Sequence, residues 1–443
     1  MQSKSKRSTP KIIRNWLDAM LDTTTLEEIC EPFQPSRGAP AIFALADLLR
    51  LGVYHEFATS GTRSMHAADV AGVTISDSAI SQRLQSLDPA LLQTILDQML
   101  RPLAQRRRHP QAFYQQWRLV GIDGAQFSIP NGPGVTAVFP KARSRRGRAA
   151  FAKLGISSLC ELGLHNPIAA VIGGQGESEM ALGHALFARL PADTLLLGDR
   201  YYGTGRCVSE LLALCRQRSV EFLFRVRANL RRRVVKTFAD SSALVAVELA
   251  DGRVLTVREI EGRVRGRSGT MVRVRLWTSL VDARAHPASR LLKLYRERWE
   301  QEIAIGELKQ TLHGGALLRS QKARTAWHEV ASLVVAQALV ARLRVQVARD
   351  AGVAVLRVSF QKTLEAARVL CVVLVEAADL LSAGQLRQLS ERLMDRVARQ
   401  LSGRRRARSC PRAVRQPVSS WPRKRKSSNS YGEFEYEVAK ITQ

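Results

Sequence analysis

Three acidic residues stand in very different surroundings. Asp123 follows an apolar run in LVGIDGAQFSI, Asp199 ends one in TLLLGDRYYG, and Glu302 lies inside YRERWEQEIAIGELK. An ionised carboxylate beside apolar strands is costly unless it is paired, hydrogen-bonded or metal-bound. Two such strands side by side would present two carboxylates to one cation. Around Glu302, the residues Tyr295, Arg298 and Lys309 stand at offsets of −7, −4 and +7. At roughly 100° per residue these four positions share one helical face. That face offers an acid flanked by two cations and a phenol.

Cleaving a phosphodiester needs an activated nucleophile and relief of charge on the leaving oxygen. Two Mg²⁺ ions about 4 Å apart do both. Hard cations take oxygen ligands, so Asp and Glu suit the task. The eight histidines form no HxH or HExxH arrangement, which weakens a zinc-hydrolase reading. Arg298 and Lys309 would then grip phosphates near the metals, Arg in bidentate fashion. Blander readings stand beside each residue. Asp123-Gly124 reads equally as an ordinary turn, and either Asp as a turn residue or helix cap. Arg298 and Glu302 have the spacing of a local helix-stabilising pair. Tyr295 reads either as a phosphate contact or as a core tyrosine with its hydroxyl at the surface.

The elements that must position these groups change in texture along the chain. Residues 1–118 read as a helical N-terminal DNA-binding region, with apolar residues three and four apart in IIRNWLDAML and IFALADLLRLGVYHEF. Within it, 67–87 resembles a helix-turn-helix: Gly72 at the turn, Ser76 or Asp77 capping the second helix, and Ser78, Ser81, Gln82 and Arg83 partly exposed. A plain helical hairpin fits the same pattern. From 119 to 233 the order is three strands, a helix, a strand, a helix and a strand. This is an α/β, RNase-H-like order: a mixed-sheet catalytic core with helices packed on it. Short strands from 234 to 286 read as a β-rich insertion interrupting that core. Helices follow over 287–345, carrying Glu302, and over 346–400 as a C-terminal region. From 401 to 443, RRRAR and RKRK among Pro and Ser read as a basic flexible tail.

Composition supports a globular protein with a polyanionic partner. The chain has 443 residues, 45% of them apolar, which is enough for a sizeable core. Lys and Arg outnumber Asp and Glu by 68 to 39, giving a formal charge of +29. Folding does not require such an imbalance, and nucleic acid explains it most simply. The six cysteines form no CxxC pair, so neither a disulfide framework nor a zinc ribbon is indicated, and a reducing cytoplasm fits. No secretory signal is evident at the basic N-terminus. The apolar stretch at 330–341 is too short to span a bilayer and reads as a packed helix, so no membrane role is expected.

The spacing Tyr, two residues, Arg, three residues, Glu, six residues, Lys is the signature of the IS4 family of DDE transposases, bacterial insertion-sequence enzymes. Tyr295, Arg298, Glu302 and Lys309 match it in full, and the chain resembles that family over about 60–345. The resemblance implies that Asp123, Asp199 and Glu302 are the catalytic acids and hold two Mg²⁺ ions, with Mn²⁺ as a substitute. The family often shows Asp-Arg-Gly-Tyr at the second acid. Here Tyr201 replaces that Gly, while Asp199 and Arg200 are kept. The resemblance also implies binding to the terminal inverted repeats of an element, pairing of the two ends in a homodimer, nicking, hairpin formation and joining to target DNA. A bacterial cytoplasm, at the nucleoid, would be the place.

Basic clusters at 141–148 (KARSRRGR, with Arg145, Arg146 and Arg148) and at 225–233 (RVRANLRRR) extend a candidate DNA path. Phosphate contacts of this kind supply affinity, while sequence choice comes from base edges or shape. Two other functions fit much of the same sequence. One is a non-catalytic, transposase-derived DNA-binding regulator. The other is an RNase-H-like nuclease that cuts without strand transfer.

Overall fold

The computed structural model describes residues 17–18, 26–34, 43–58, 60–139, 141, 143–144, 147–174, 177–227, 230–265, 271–377, 380–403 and 435–438. After a short helix at Leu26–Cys30, four helices follow: α1 (Leu45–Phe57), α2 (Arg63–Ala71), α3 (Asp77–Ser86) and α4 (Pro89–Met99). The core follows as β1 (Trp117–Ile129), β2 (Ala152–Glu161), β3 (Asn166–Ile172), α5 (Glu179–Phe187), β4 (Thr194–Gly198), α6 (Gly205–Arg218) and β5 (Val220–Arg225). Next come β6 (Arg233–Thr237), β7 (Ala243–Glu248), β8 (Val254–Arg265) and β9 (Met271–Thr278). The chain then turns helical: α7 (Ala288–Leu294), α8 (Trp299–Gly306), α9 (Ala323–Asp350), α10 (Phe360–Glu376) and α11 (Ala383–Arg399).

These strands form one mixed sheet in the order β3-β2-β1-β4-β5-β9-β8-β7-β6. β4 runs parallel to β1 on one side and to β5 on the other, whereas β2 pairs antiparallel with β1 and β3 with β2. The centre of the sheet is dry. Leu195, Leu196 and Leu197 of β4 and Phe222, Leu223 and Phe224 of β5 are fully buried, as parallel strands covered on both faces require. The fold is therefore α/β, a mixed sheet flanked by N- and C-terminal helical regions.

The strands between 233 and 278 continue the core sheet, because β9 pairs antiparallel with β5 through Leu276–Thr278. Apolar alternation announces strands but does not say where they dock. The final described segment, Glu435–Val438, pairs antiparallel with β8 over Gly262–Arg265. This part of the basic tail is thus a strand, and its neighbours at 404–434 lie outside the described residues.

In the N-terminal helices, Gly72 ends α2 with φ 68°, and the Ser76 side chain caps α3 by accepting from the Ala79 N–H at 3.2 Å. Ser78 and Gln82 are exposed and Ser81 is half-buried. Arg83 turns inward and donates to the Phe43 carbonyl, so it braces α3. Helix α9 is longer than its apolar stretch suggests. By length and composition alone it would pass for a membrane span, yet 78% of its apolar window is buried inside the protein. It is the helix on which α1, α4, α10 and β3 converge.

Candidate functional site

Asp123 does not sit in a turn. β1 runs extended through Asp123-Gly124, pairing with Ser158 and Ser157 of β2. The parallel pairing with β4 ends at Gly121, opposite Leu197. Asp123 therefore stands just past the carboxyl end of the parallel pair, level with the place where β4 releases Asp199. The parallel pairing stops there, and the charge of Asp199 acts on the Asp123 carboxyl across that opening. Gly124 N–H donates to Asp123 Oδ1 at 2.9 Å, and Tyr201 N–H donates to Asp199 Oδ1 at 2.7 Å. Burial pushes the Asp123 carboxyl up to about 7; the Gly124 N–H and Arg298 oppose this, while the charges of Asp199 and Glu179 add to it.

Glu179 is an acid that sequence reading did not single out. It is the first residue of α5, on the opposite face of β1 from Gly121 and Asp123. Gly124 makes room for it, since a Cβ at Gly124 would lie 2.8 Å from Glu179 Oε1. Its carboxyl accepts from the hydroxyl of buried Tyr202 at 3.4 Å. Burial, then the charge of Asp199, raises its pKa. The available signal was the absent side chain at Gly124, which sequence alone does not connect with position 179.

The Glu302 segment is not one uniform helix. Tyr295–Arg298 is 3₁₀, Trp299–Gly306 is α-helical, and Glu307–Leu312 forms a π turn. A single angular step therefore does not carry Tyr295, Arg298, Glu302 and Lys309 along one line. The Tyr295 hydroxyl donates to the carbonyl of Gly198 at 3.2 Å, which docks the segment on the end of β4, just before Asp199. Arg298 pairs with Glu302 at 2.7 Å. Lys309 lies with its Nζ 5.9 Å from the centre of the Phe127 ring, farther along β1. Burial and then the neighbouring charge of Lys153 lower its pKa.

A basic cleft of about 630 Å³ adjoins Asp199, lined by Arg200, Tyr201, Arg225, Val226, Arg227, Arg273 and Arg275. Arg225 and Arg227 belong to the cluster read from sequence; Arg273 and Arg275 arrive from β9, because β9 docks on β5. Two buried carboxylates hold arginines of the cleft and a neighbouring one, Arg232. Glu261 pairs with Arg275 at 2.8 Å and with Arg273 at 2.5 Å, and Glu259 pairs with Arg232 at 2.9 Å. Trp277 is fully buried and donates to Glu259 at 2.8 Å, so it is a core residue. The side chains of Arg145, Arg146 and Arg148 lie outside the described residues.

A hard cation suits part of this arrangement. Asp123 and Asp199 offer oxygen donors only, and their charges already repel across the opening. Glu302 is engaged by Arg298. Among the described residues, no group of three His, Cys, Asp or Glu side chains is placed to hold one ion.

Residues 122–339, spanning both strand acids and the whole Glu302 segment, match the family described as Transposase DDE domain. Over these residues the chain is similar to DDE transposases. It is 27% identical over 228 residues to "Transposase InsG for insertion sequence element IS4" of Escherichia coli (strain K12), covering 50% of this chain and 51% of that protein. It is 28% identical over 129 residues to "Putative transposase InsZ" of the same organism, covering 28% of this chain and 42% of that one. The matches thus span about half the length of these relatives or less. Among solved structures, a chain from "piggyBac transposase synaptic complex with hairpin DNA" aligns with a TM-score of 0.41 and 11% identity, over 91% of this chain and 85% of that one.

Proposed function

We propose that this DDE transposase-family protein grips duplex DNA in the arginine-lined cleft beside Asp199 and, with a divalent metal, cleaves a strand at the opening between Asp123 and Asp199. The observation that carries the reading is the juxtaposition of five cleft arginines with Asp199. Phosphates in the cleft would be neutralised by Arg200, Arg225, Arg227, Arg273 and Arg275, within reach of the carboxylate at its edge.

Asp123 and Asp199 are the residues that would hold Mg²⁺ or Mn²⁺, two ions in the full DDE scheme. The metal would supply an activated water or 3′-hydroxyl and stabilise the leaving oxygen. Arg298 would shift from Glu302 to a phosphate oxygen, leaving Glu302 to join the other two acids. Tyr295, bonded to Gly198, keeps that segment seated while Arg298 moves. Lys309 would take a phosphate farther along β1. Binding to terminal inverted repeats, end pairing by a homodimer, hairpin formation and joining to target DNA complete the proposal and rest on the similarity to DDE transposases. The site of action would be the bacterial nucleoid.

A specific observation favours a second reading. With Glu302 held by Arg298, the arrangement as it stands accounts for DNA binding more fully than for cleavage. A transposase-derived regulator that binds without cutting needs only the cleft, and an RNase-H-like nuclease would cut without joining. The test is a gel assay on a labelled duplex carrying the element end, with Mg²⁺, comparing the natural chain with Asp199→Ala and Arg227→Glu. The transposase reading expects nicks that vanish in Asp199→Ala and weaker binding only in Arg227→Glu. Binding without nicks by the natural chain supports the regulator. Nicks with no joined products when target DNA is added support the nuclease.

A further inference from the structure

We propose that His165 is a positioning residue for the segment bearing Glu302 and Lys309. It occupies the turn joining β2 to β3 and is fully buried. Its φ is 55°, a left-handed conformation that is strained for a non-glycine residue. Glycine would make that turn more easily, so the imidazole itself accounts for the choice.

Both ring nitrogens meet carboxylates. Nδ1 lies 2.8 Å from Glu307 Oε2, and Nε2 lies 2.8 Å from Glu300 Oε2. An ionised carboxylate only accepts, so a carboxylate at each nitrogen favours the ring form in which both nitrogens donate. Its two partners sit on either side of the junction where the α-helical turn ends at Gly306 and the π turn begins at Glu307. Each stands two residues before a proposed DNA-acting group: Glu300 before Glu302, and Glu307 before Lys309. One ring thus fixes the rotation of the segment above and below the junction.

Other contacts brace the same junction. Arg344 of α9 pairs with Glu307 at 3.2 Å and donates to the Val358 carbonyl at 3.1 Å. Burial pushes the Glu307 carboxyl up, but His165 and Arg344 outweigh it and hold the carboxyl below its ordinary value. Gln337 of α9 donates to the Ala304 carbonyl at 2.8 Å, within the stretch where the helical ladder changes pitch. π turns are rare and need such compensation. His165 extends from β2, the strand that pairs with Asp123 through Ser158. The clamp therefore ties the Glu302 segment to the strand pair carrying the first acid.

This inference rests on the proposed cleavage only for its activity readout. The experiment compares the full-length natural chain with His165→Ala, His165→Gln and Glu300→Gln. Hydrogen exchange is followed over residues 299–312, alongside DNA affinity and the nicking rate at saturating DNA. Positioning predicts early loss of protection over 299–312 in His165→Ala while β1, β4 and β5 stay protected. It also predicts a nicking rate down about 100-fold at nearly unchanged affinity, the loss expected for a catalytic group misplaced by about 1 Å. His165→Gln keeps one donor and should recover part of both. If His165→Ala fails to fold, Glu300→Gln carries the test with the same expected pattern. Unchanged exchange over 299–312 overturns the proposal, whether or not the natural chain nicks DNA. An absence of nicking by the natural chain overturns the cleavage reading alone.

Discussion

Gly203 closes the loop that follows Asp199, and replacing it with alanine should displace that acid. The Gly203 N–H donates to the Asp199 carbonyl at 3.2 Å, so the two move together. A Cβ at Gly203 would overlap the Arg225 carbonyl oxygen and lie 3.0 Å from both the Arg225 carbonyl carbon and Val226 Cγ1. The obstacle is the backbone of β5's end, which has no rotamer to change. The loop must retreat by roughly 1 Å, a misplacement that costs about a hundredfold in rate when it falls on a catalytic group. Overpacking of this kind also costs about 1–3 kcal/mol of stability. Single-turnover nicking and thermal denaturation of Gly203→Ala measure the two effects. Affinity for DNA should fall much less than the rate, since Arg200, Arg225 and Arg227 all remain. A variant that nicks and melts like the natural chain would refute the argument that this loop holds Asp199 in place.

Other outcomes can be checked with the same preparations. Asp123→Ala and Asp199→Ala should each abolish nicking while leaving band-shift affinity largely intact; full metal-dependent nicking by either removes that acid from the site. Arg227→Ala should weaken binding to unrelated duplexes alike and reduce the slope of log affinity against log salt by about 1. An unchanged slope takes Arg227 off the phosphate path. Burial pushes the Glu56 carboxyl up to about 8, against the pull of Arg319. A carboxyl whose pKa rises on folding stabilises the folded state below its ordinary value of 4.5, and that contribution is lost as pH rises through about 8. Glu56→Gln should therefore flatten the dependence of stability on pH across that window, as read from denaturant melts; an unaltered profile would contradict the assignment.

The acids were legible because apolar strands and a lone carboxylate form an unusual sequence pattern. Asp123 and Asp199 indeed emerge at neighbouring strands of the mixed sheet. The alternative of a turn at Asp123-Gly124 fell because the strand runs through it, and Gly124 yields space to Glu179 on α5. Such a long-range fit leaves no trace in local spacing. The shared helical face was legible in part, since Arg298 meets both Tyr295 and Glu302. Sequence offsets assume one pitch, whereas the segment passes through 3₁₀, α and π turns, with His165, Arg344 and Gln337 bracing the change from 135, 37 and 33 residues away. The strands after 233 were recognised as strands, but their docking on β5, and with it the arrival of Arg273 and Arg275 in the cleft, depends on tertiary pairing.

The most direct measurement of the central claim is a denaturing gel of an element-end duplex incubated with Mg²⁺ or Mn²⁺, run for the natural chain beside Glu302→Ala. Nicks and a hairpin-sized product from the natural chain, both absent from the variant, are the result predicted for a hairpin-forming DDE transposase. Equal tight binding by both proteins with no metal-dependent cleavage by either would contradict it and leave a DNA-binding regulator.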